Sequence, residues 1–232
     1  MRPLPVSGMP SSTPDVIYCP PPDEGLDVIY HDENMVVVNK PSGLLSVPGR
    51  GAGREDCMIS RAMSRFSDVL IVHRLDMATS GLLVLARGEA MQRRLSMLFQ
   101  ARQVSKRYVA LVHGLMNQDV GEVNLPLITD WPQRPKQMVC HERGKPSLTR
   151  FKVLSRDEET GQTRVLLEPV TGRSHQLRVH MLASGHPIVG DPLYGDQAVQ
   201  AAWPRLMLHA CEIALPHPIT AAELNLRCQV PF

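Results

Sequence analysis

His73-Arg74-Leu75-Asp76-Met77-Ala78-Thr79-Ser80-Gly81-Leu82 decides the reading of this chain. An apolar run, Val69-Leu70-Ile71-Val72, leads into it, and a second, Leu82-Leu83-Val84-Leu85, leads out. Short runs of Val, Ile and Leu predict buried strands. One acid and two potential cations therefore sit at a strand end and turn, where a rigid core can present reacting groups. Burying Asp76 among apolar neighbours is costly unless it is paired. Taken alone, Asp76 reads first as a structural turn cap, with Thr79 and Ser80 as turn residues and Gly81 supplying a free φ.

Upstream, Leu26–Tyr30 and Met35–Asn39 flank the polar His31-Asp32-Glu33-Asn34 and predict a β-hairpin. It runs into Lys40-Pro41-Ser42-Gly43-Leu44-Leu45-Ser46-Val47-Pro48-Gly49, a shaped loop with two Pro and two Gly. Cys57 to Phe66 has helical spacing, with Met58, Ala62 and Phe66 four apart. Downstream, Met91, Leu95, Leu98 and Phe99 predict an amphipathic helix over 88–101, leaving Arg93, Arg94 and Arg102 for the surface. In Ser105–Gly114, strand alternation puts Lys106, Tyr108 and Ala110 on one face. A tyrosine in such a strand is ordinarily a core ring with its hydroxyl bonded.

Residues 120–155 read as strand and loop, with the cations Arg134 and Lys136 in a Pro-rich stretch. GKPSLTRFKVL (144–154) and TRVLLEPVTGR (163–173) read as two further strands joined by Asp157-Glu158-Glu159-Thr160-Gly161. After Thr171-Gly172-Arg173, Ser174 predicts an N-cap for a helix through Ala183 or Ser184, closed by Gly185. On that helix His175, Arg178 and Leu182 form one stripe, and Leu177 and Met181 the adjacent apolar one. A half-buried Arg178 needs a carboxylate, and Asp76 is the candidate. Backbone carbonyls or another acid remain the alternatives.

The chain has 232 residues, 43% hydrophobic and 21% charged, the balance of a globular protein of one sizeable domain or two small ones. No apolar run approaches the roughly 20 residues of a membrane span. The opening residues lack the apolar core of a signal peptide and, rich in Pro and Ser, read as a leader over residues 1–25. Five scattered Cys form no C-x-x-C pair, which suggests neither a zinc site nor a disulfide framework and fits a reducing cytoplasm. Net charge is only +2, but residues 50–110 hold eleven Lys/Arg against five Asp/Glu. A basic segment around the key motif suits a phosphate-bearing substrate, or forms a solvated helix face.

HRLDMATSGL resembles the signature of the RluA-type family of RNA pseudouridine synthases. NKPSGLLSVPG, KRYVALVHG and TGRSHQLRVHMLASGHPIVGDPLYG resemble that family's other motifs, in the family's order, over residues 26 to 230. The resemblance implies an α+β fold: a mixed, mostly antiparallel sheet with flanking helices and a central RNA-binding cleft. It implies a single catalytic domain over 26–232, with no separate N-terminal RNA-binding module. It makes Asp76 the catalytic acid, Arg178 its partner, and Tyr108 the residue that packs against the target base. Substrate or RNA contacts are implied for Arg74, His73, Lys106, Leu177 and Arg173.

The implied reaction isomerises uridine to pseudouridine and requires neither cofactor nor metal. The implied substrates are large-subunit (23S) ribosomal RNA and the tRNA anticodon stem-loop, acted on in the cytoplasm by a monomer without membrane contact or an obligate protein partner. A non-catalytic RNA-binding ribosome-assembly factor would explain the basic segment but not a paired catalytic Asp. A double-carboxylate hydrolase would need a second acid beside Asp76, and the motif shows none.

Overall fold

The computed structural model describes residues 18–232. Its first half runs β1 (Val28–His31), β2 (Met35–Lys40), α1 (Met58–Met63), β3 (Val69–Ile71), β4 (Ser80–Arg87), α2 (Gly88–Gln100) and β5 (Ser105–His113). The second half runs β6 (Val120–Asn124), β7 (Leu127–Thr129), β8 (Gln137–Val139), β9 (Leu148–Asp157), β10 (Gln162–Pro169), α3 (Gln176–Ala183), α4 (Gln197–Ala201), β11 (Leu208–Pro216) and β12 (Glu223–Arg227).

β2 and β4 read as continuous apolar runs because both of their faces are covered. Val36, Val38, Leu83 and Leu85 pack on one side with Met58 and Ala62 of α1. Met35, Val37, Leu82, Val84 and Ala86 pack on the other with Leu95 of α2. A third core cluster joins β5 and β10 to Leu177 and Met181 of α3.

Ten strands form one sheet in the order β1-β2-β4-β11-β5-β10-β9-β6, with β3 paired to β4 and β12 to β11. The expected β1–β2 and β9–β10 hairpins are both present. Among the described residues every pairing in the sheet is antiparallel except β4–β11, where Ser80 lies opposite His209 and Gly81 opposite Ala210. That junction needs glycine: Gly81 has φ +113°, and a Cβ there would run into the backbone of Ala210. β7 and β8 form a separate two-stranded ribbon off the sheet. Residues 1–17 of the expected leader lie outside the described residues. Of its remainder, Tyr18 bonds the carbonyl of Asp56 and the amide of Leu45, and Pro21 accepts from Arg61.

A directed chain of donors locks the β4–β11 junction. Arg205 Nη2 donates to Ser80 Oγ at 2.6 Å, and Ser80 Oγ lies 2.9 Å from His209 Nδ1. His209 Nε2 faces Cys228 Sγ at 3.0 Å, and that thiol donates to the carbonyl of Ala210. Each hydrogen finds an acceptor if His209 is neutral. Burial, and then the charge of Arg205, push its pKa down to about 4. An unfolded histidine gains its proton near 6.5, so this contribution to stability is complete above pH 6.5 and is lost as pH falls toward 4. His209→Gln is therefore expected to lose less stability than the wild type between pH 7 and 4.5, by about 2 kcal/mol. Urea unfolding at the two pH values measures the difference; equal losses in both proteins would refute it.

Candidate active site

The segment 72–79 cannot hold itself, since it makes no strand. The shaped loop after β2 holds it instead. Ser46 Oγ donates to the carbonyl of Leu75 and accepts from its amide. The amide of Gly43 donates to the carbonyl of Met77, and Ser42 Oγ to that of Ala78. Lys40, with no exposed surface, donates through Nζ to the carbonyls of Met77 (3.1 Å), Leu44 (2.6 Å) and Pro41 (2.9 Å). The loop read from sequence as flanking the cleft is thus the clamp that fixes the backbone on both sides of Asp76.

Burial lowers the Lys40 pKa to about 7, with the charge of Asp76 working the other way. Lys40→Met is expected to leave three inward carbonyls without their donor. The cost should be about 2–3 kcal/mol in stability, with about a tenfold fall in turnover as the Asp76 loop relaxes. Chemical denaturation and a rate assay on the same preparation check both; an unchanged midpoint would remove the clamp reading.

Clamped in this way, Asp76 borders a cavity of about 630 Å³ that is also lined by His73, Arg74, Lys106, Tyr108, Arg173 and Leu177. Its side chain is 25% exposed, so it meets solvent on one side and protein on the other. The expected helix partner does reach Asp76, with Arg178 Nη1 3.5 Å from Asp76 Oδ2, although the expected stripe is not one face: His175 precedes the helix and Leu182 is exposed. However, Arg178 is bonded more closely to an acid the sequence reading did not single out. Its Nε donates to Asp191 Oδ2 at 2.8 Å and its Nη2 to Asp191 Oδ1 at 2.6 Å. Asp191, 1% exposed, also accepts from the amides of Leu193 and Tyr194. Burial opposes the charge of Arg178, but the bonds to Asp191 and the charges of Asp191 and Asp76 outweigh it, and its pKa rises. Two fork positions of the guanidinium are thus spent on structure, and the third points at Asp76.

The other expected residues divide by what their polar atoms do. Tyr108 lies half-buried on β5, its hydroxyl without a hydrogen bond among the described residues; burial, then the charge of Asp76, push its pKa up, so it stays a neutral phenol. Arg74 is exposed at the rim and makes no ion pair among the described residues. Lys106 stands beside Gly172, its pKa lowered by burial. Arg173 is exposed, with a long bond to the carbonyl of Pro146. Leu177 is 6% exposed and belongs to both the core and the cavity wall. His73 is occupied structurally: its Nε2 accepts from the amide of Val84, its ring stacks on Phe99 at 4.4 Å, and burial pushes its pKa down to about 3.

The helix begins one residue later than expected. The N-cap of α3 is His175, not Ser174, and it has a left-handed φ of 53°. The cause is Gln176, whose buried side chain bonds Thr171, the amide of Arg173, the carbonyl of Leu148 and Thr149, and so pins the turn. That turn brings His175 Nε2 to 3.9 Å from Asp76 Oδ1. Asp191, His175, Tyr194 and Lys40 were all missed as site residues. The one legible signal was the acid of Gly190-Asp191-Pro192, an Asp in a turn inside an otherwise recognised motif. Arg102 also lines the cavity, joining Arg74, Lys106, Arg173 and the buried Arg178 there.

Residues 34–183 match the family model described as RNA pseudouridylate synthase. The chain is 50% identical over 205 residues to the dual-specificity RNA pseudouridine synthase RluA of Yersinia pestis, covering 88% of this chain and 99% of that protein. It is 55% identical over 202 residues to the protein of the same name from Vibrio cholerae, covering 87% and 81%. Among solved structures, human RNA Pseudouridylate Synthase Domain Containing 1 superposes with a TM-score of 0.78 at 30% identity, over 92% of this chain and 86% of that one.

Proposed function

The chain belongs to the RNA pseudouridylate synthase family and isomerises uridine in RNA to pseudouridine, and from that premise we propose how its residues do so and which RNAs it takes. The glycosidic carbon–nitrogen bond of a uridine breaks, the uracil turns, and the sugar rejoins at a ring carbon, whose proton is lost while the freed nitrogen gains one. Asp76 acts at the sugar as an ionised carboxylate. The observation that carries this role is its placement: a half-open carboxylate at the cavity wall, 3.5 Å from a buried guanidinium that is itself held by a second acid. Arg178 fixes the orientation of the Asp76 carboxylate.

The target base must leave its stack to reach Asp76, at a cost of roughly a few kcal/mol, less in a loop than in a duplex. Tyr108 offers the flat ring against which the base packs. Arg74, two residues before Asp76 and exposed, fills the space the base leaves. Lys106, Arg173 and Arg102 meet phosphates at the rim, with Leu177 and His73 shaping the wall.

The substrates we propose are large-subunit ribosomal RNA and the tRNA anticodon stem-loop, supported by the dual specificity in the names of the relatives. Residues 26–232 act as one catalytic domain, as a monomer in the cytoplasm, without an obligate protein partner. Among the described residues no helix is long and apolar enough to cross a membrane. The test is nucleotide-resolution mapping of pseudouridine after incubating the protein with unmodified ribosomal and transfer RNA. New sites in both RNA classes are expected; sites in one class alone would reduce the proposal to single specificity.

A further inference from the structure

His175 stands apart from the helix it precedes. Its left-handed backbone is unusual for a residue with a side chain and costs on the order of 1 kcal/mol or more. The strain aims the imidazole, 12% exposed, at the oxygen of Asp76 that Arg178 does not face: His175 Nε2 to Oδ1, Arg178 Nη1 to Oδ2.

The other ring nitrogen is already engaged. The hydroxyl of Tyr194 lies 2.7 Å from His175 Nδ1, and the same oxygen accepts from the amide of Gln137 at 2.7 Å. An amide can only donate, so the tyrosine's own hydrogen is free for Nδ1. Nδ1 then accepts, and the single proton of a neutral imidazole sits on Nε2, facing Asp76. Burial lowers the His175 pKa and so favours that neutral form, against the charge of Asp76. Tyr194 braces the opposite partner too: the Arg178 guanidinium lies 5.0 Å from its ring centroid, and the His175 ring meets it edge-on. Gln137 opens β8, so the relay begins in the ribbon that stands off the main sheet.

We propose that His175 is a positioning residue for the reaction: its Nε2–H closes onto Oδ1 of Asp76 when RNA is bound, with Tyr194 and the β7–β8 ribbon setting the tautomer that makes this possible. At 3.9 Å the contact is longer than a hydrogen bond, as catalytic contacts are before substrate tightens them. Two donors on two oxygens would leave the carboxylate one orientation toward the sugar. The inference rests on the reading of Asp76 as the reacting carboxylate.

The experiment measures single-turnover rate and RNA affinity for wild type, Asp76→Ala, His175→Ala, His175→Gln and Tyr194→Phe on one RNA that the wild type modifies. Activity in Asp76→Ala would sink the reading of Asp76 itself and this inference with it; its absence leaves the His175 variants to decide separately. His175→Ala should lower the rate about 30-fold or more at unchanged RNA affinity, the scale of a misplaced reacting group. Glutamine carries an N–H to about the place of Nε2–H, so His175→Gln should recover most of the loss. Tyr194→Phe should lose about tenfold. A His175→Ala rate within threefold of wild type, or no rescue by Gln, overturns the inference. If His175→Ala does not fold, Tyr194→Phe at the wild-type rate overturns it, and the expected loss there with a near-normal His175→Gln supports it.

Discussion

Asp76→Ala is expected to abolish pseudouridine formation, a loss on the order of 10⁴-fold or more, while RNA affinity stays within about threefold and the fold is kept. The expectation of an intact fold follows from the geometry rather than from the identity of the residue. Removing a carboxylate that neutralises a buried arginine ordinarily destabilises a protein by about 3–5 kcal/mol. Here the arginine keeps its two close bonds to Asp191 when Asp76 is gone. Asp76 is also the more exposed of the two acids, at 25% against 1%. The segment around it is fastened through backbone carbonyls and amides, which the substitution leaves in place. Single-turnover assays and filter binding on one RNA read the two quantities. Residual turnover above about one per cent would move the chemistry away from Asp76.

Asp191→Ala is expected to do the reverse: to damage the fold first and activity through it. Arg178 would keep its charge, 3% exposed, with its bidentate partner removed, and the amides of Leu193 and Tyr194 would lose their acceptor. A stability loss of about 3–5 kcal/mol follows, or roughly 10 °C in Tm for a chain of this size. The freed guanidinium has one acid left to turn to, Asp76. Turnover should then fall at least about tenfold in the fraction that remains folded, because the carboxylate proposed to react would be drawn into a tight ion pair. Asp191→Asn keeps an oxygen for the two amides and should lose less than half as much stability. Calorimetry alongside single-turnover rates separates the two effects. A normal Tm for Asp191→Ala would show that the Arg178 charge is satisfied elsewhere.

What the sequence carried was local. The strand after HRLD, β4, is legible, like β2, because it is apolar on both faces; the strand before it, β3, is only three residues long and buries Val69 fully but Leu70 and Ile71 in part. The helix α2 is legible because its apolar residues keep a 3.6-residue period around Leu95. Arg178 does reach Asp76 from the helix, but not on the expected stripe: His175 precedes the helix in a left-handed turn and Leu182 is exposed. What stayed hidden depends on contacts that no period encodes. Asp191 is 13 residues from Arg178 and reaches it from a turn, so spacing says nothing about the pair. Lys40 reads as an ordinary charged strand end; only its three carbonyl partners, one of them 37 residues away, explain a lysine with no exposed surface. The N-cap moved to His175 because a buried glutamine side chain, not the serine hydroxyl, organises that turn. Each of the implied cations at the rim was visible as charge, but nothing in the order of residues distinguished the structural His73 from the exposed Arg74 next to it.

The junction at Gly81 and Ala210 bears on the order in which this molecule can come into being. β11 lies between β4 and β5, strands that both precede it in the chain by about a hundred residues or more. A nascent chain that has emerged past α3 already holds Asp76, Tyr108 and Arg178, yet the strand that joins their two half-sheets is still to be made. The halves of the catalytic cleft can meet only when β11 slides between them, a late, long-range closure of the kind that makes folding slow. Assembly of the cleft is thus deferred until β11 has been made, and a chain on the ribosome that has not reached it, though surrounded by RNA, has no finished site.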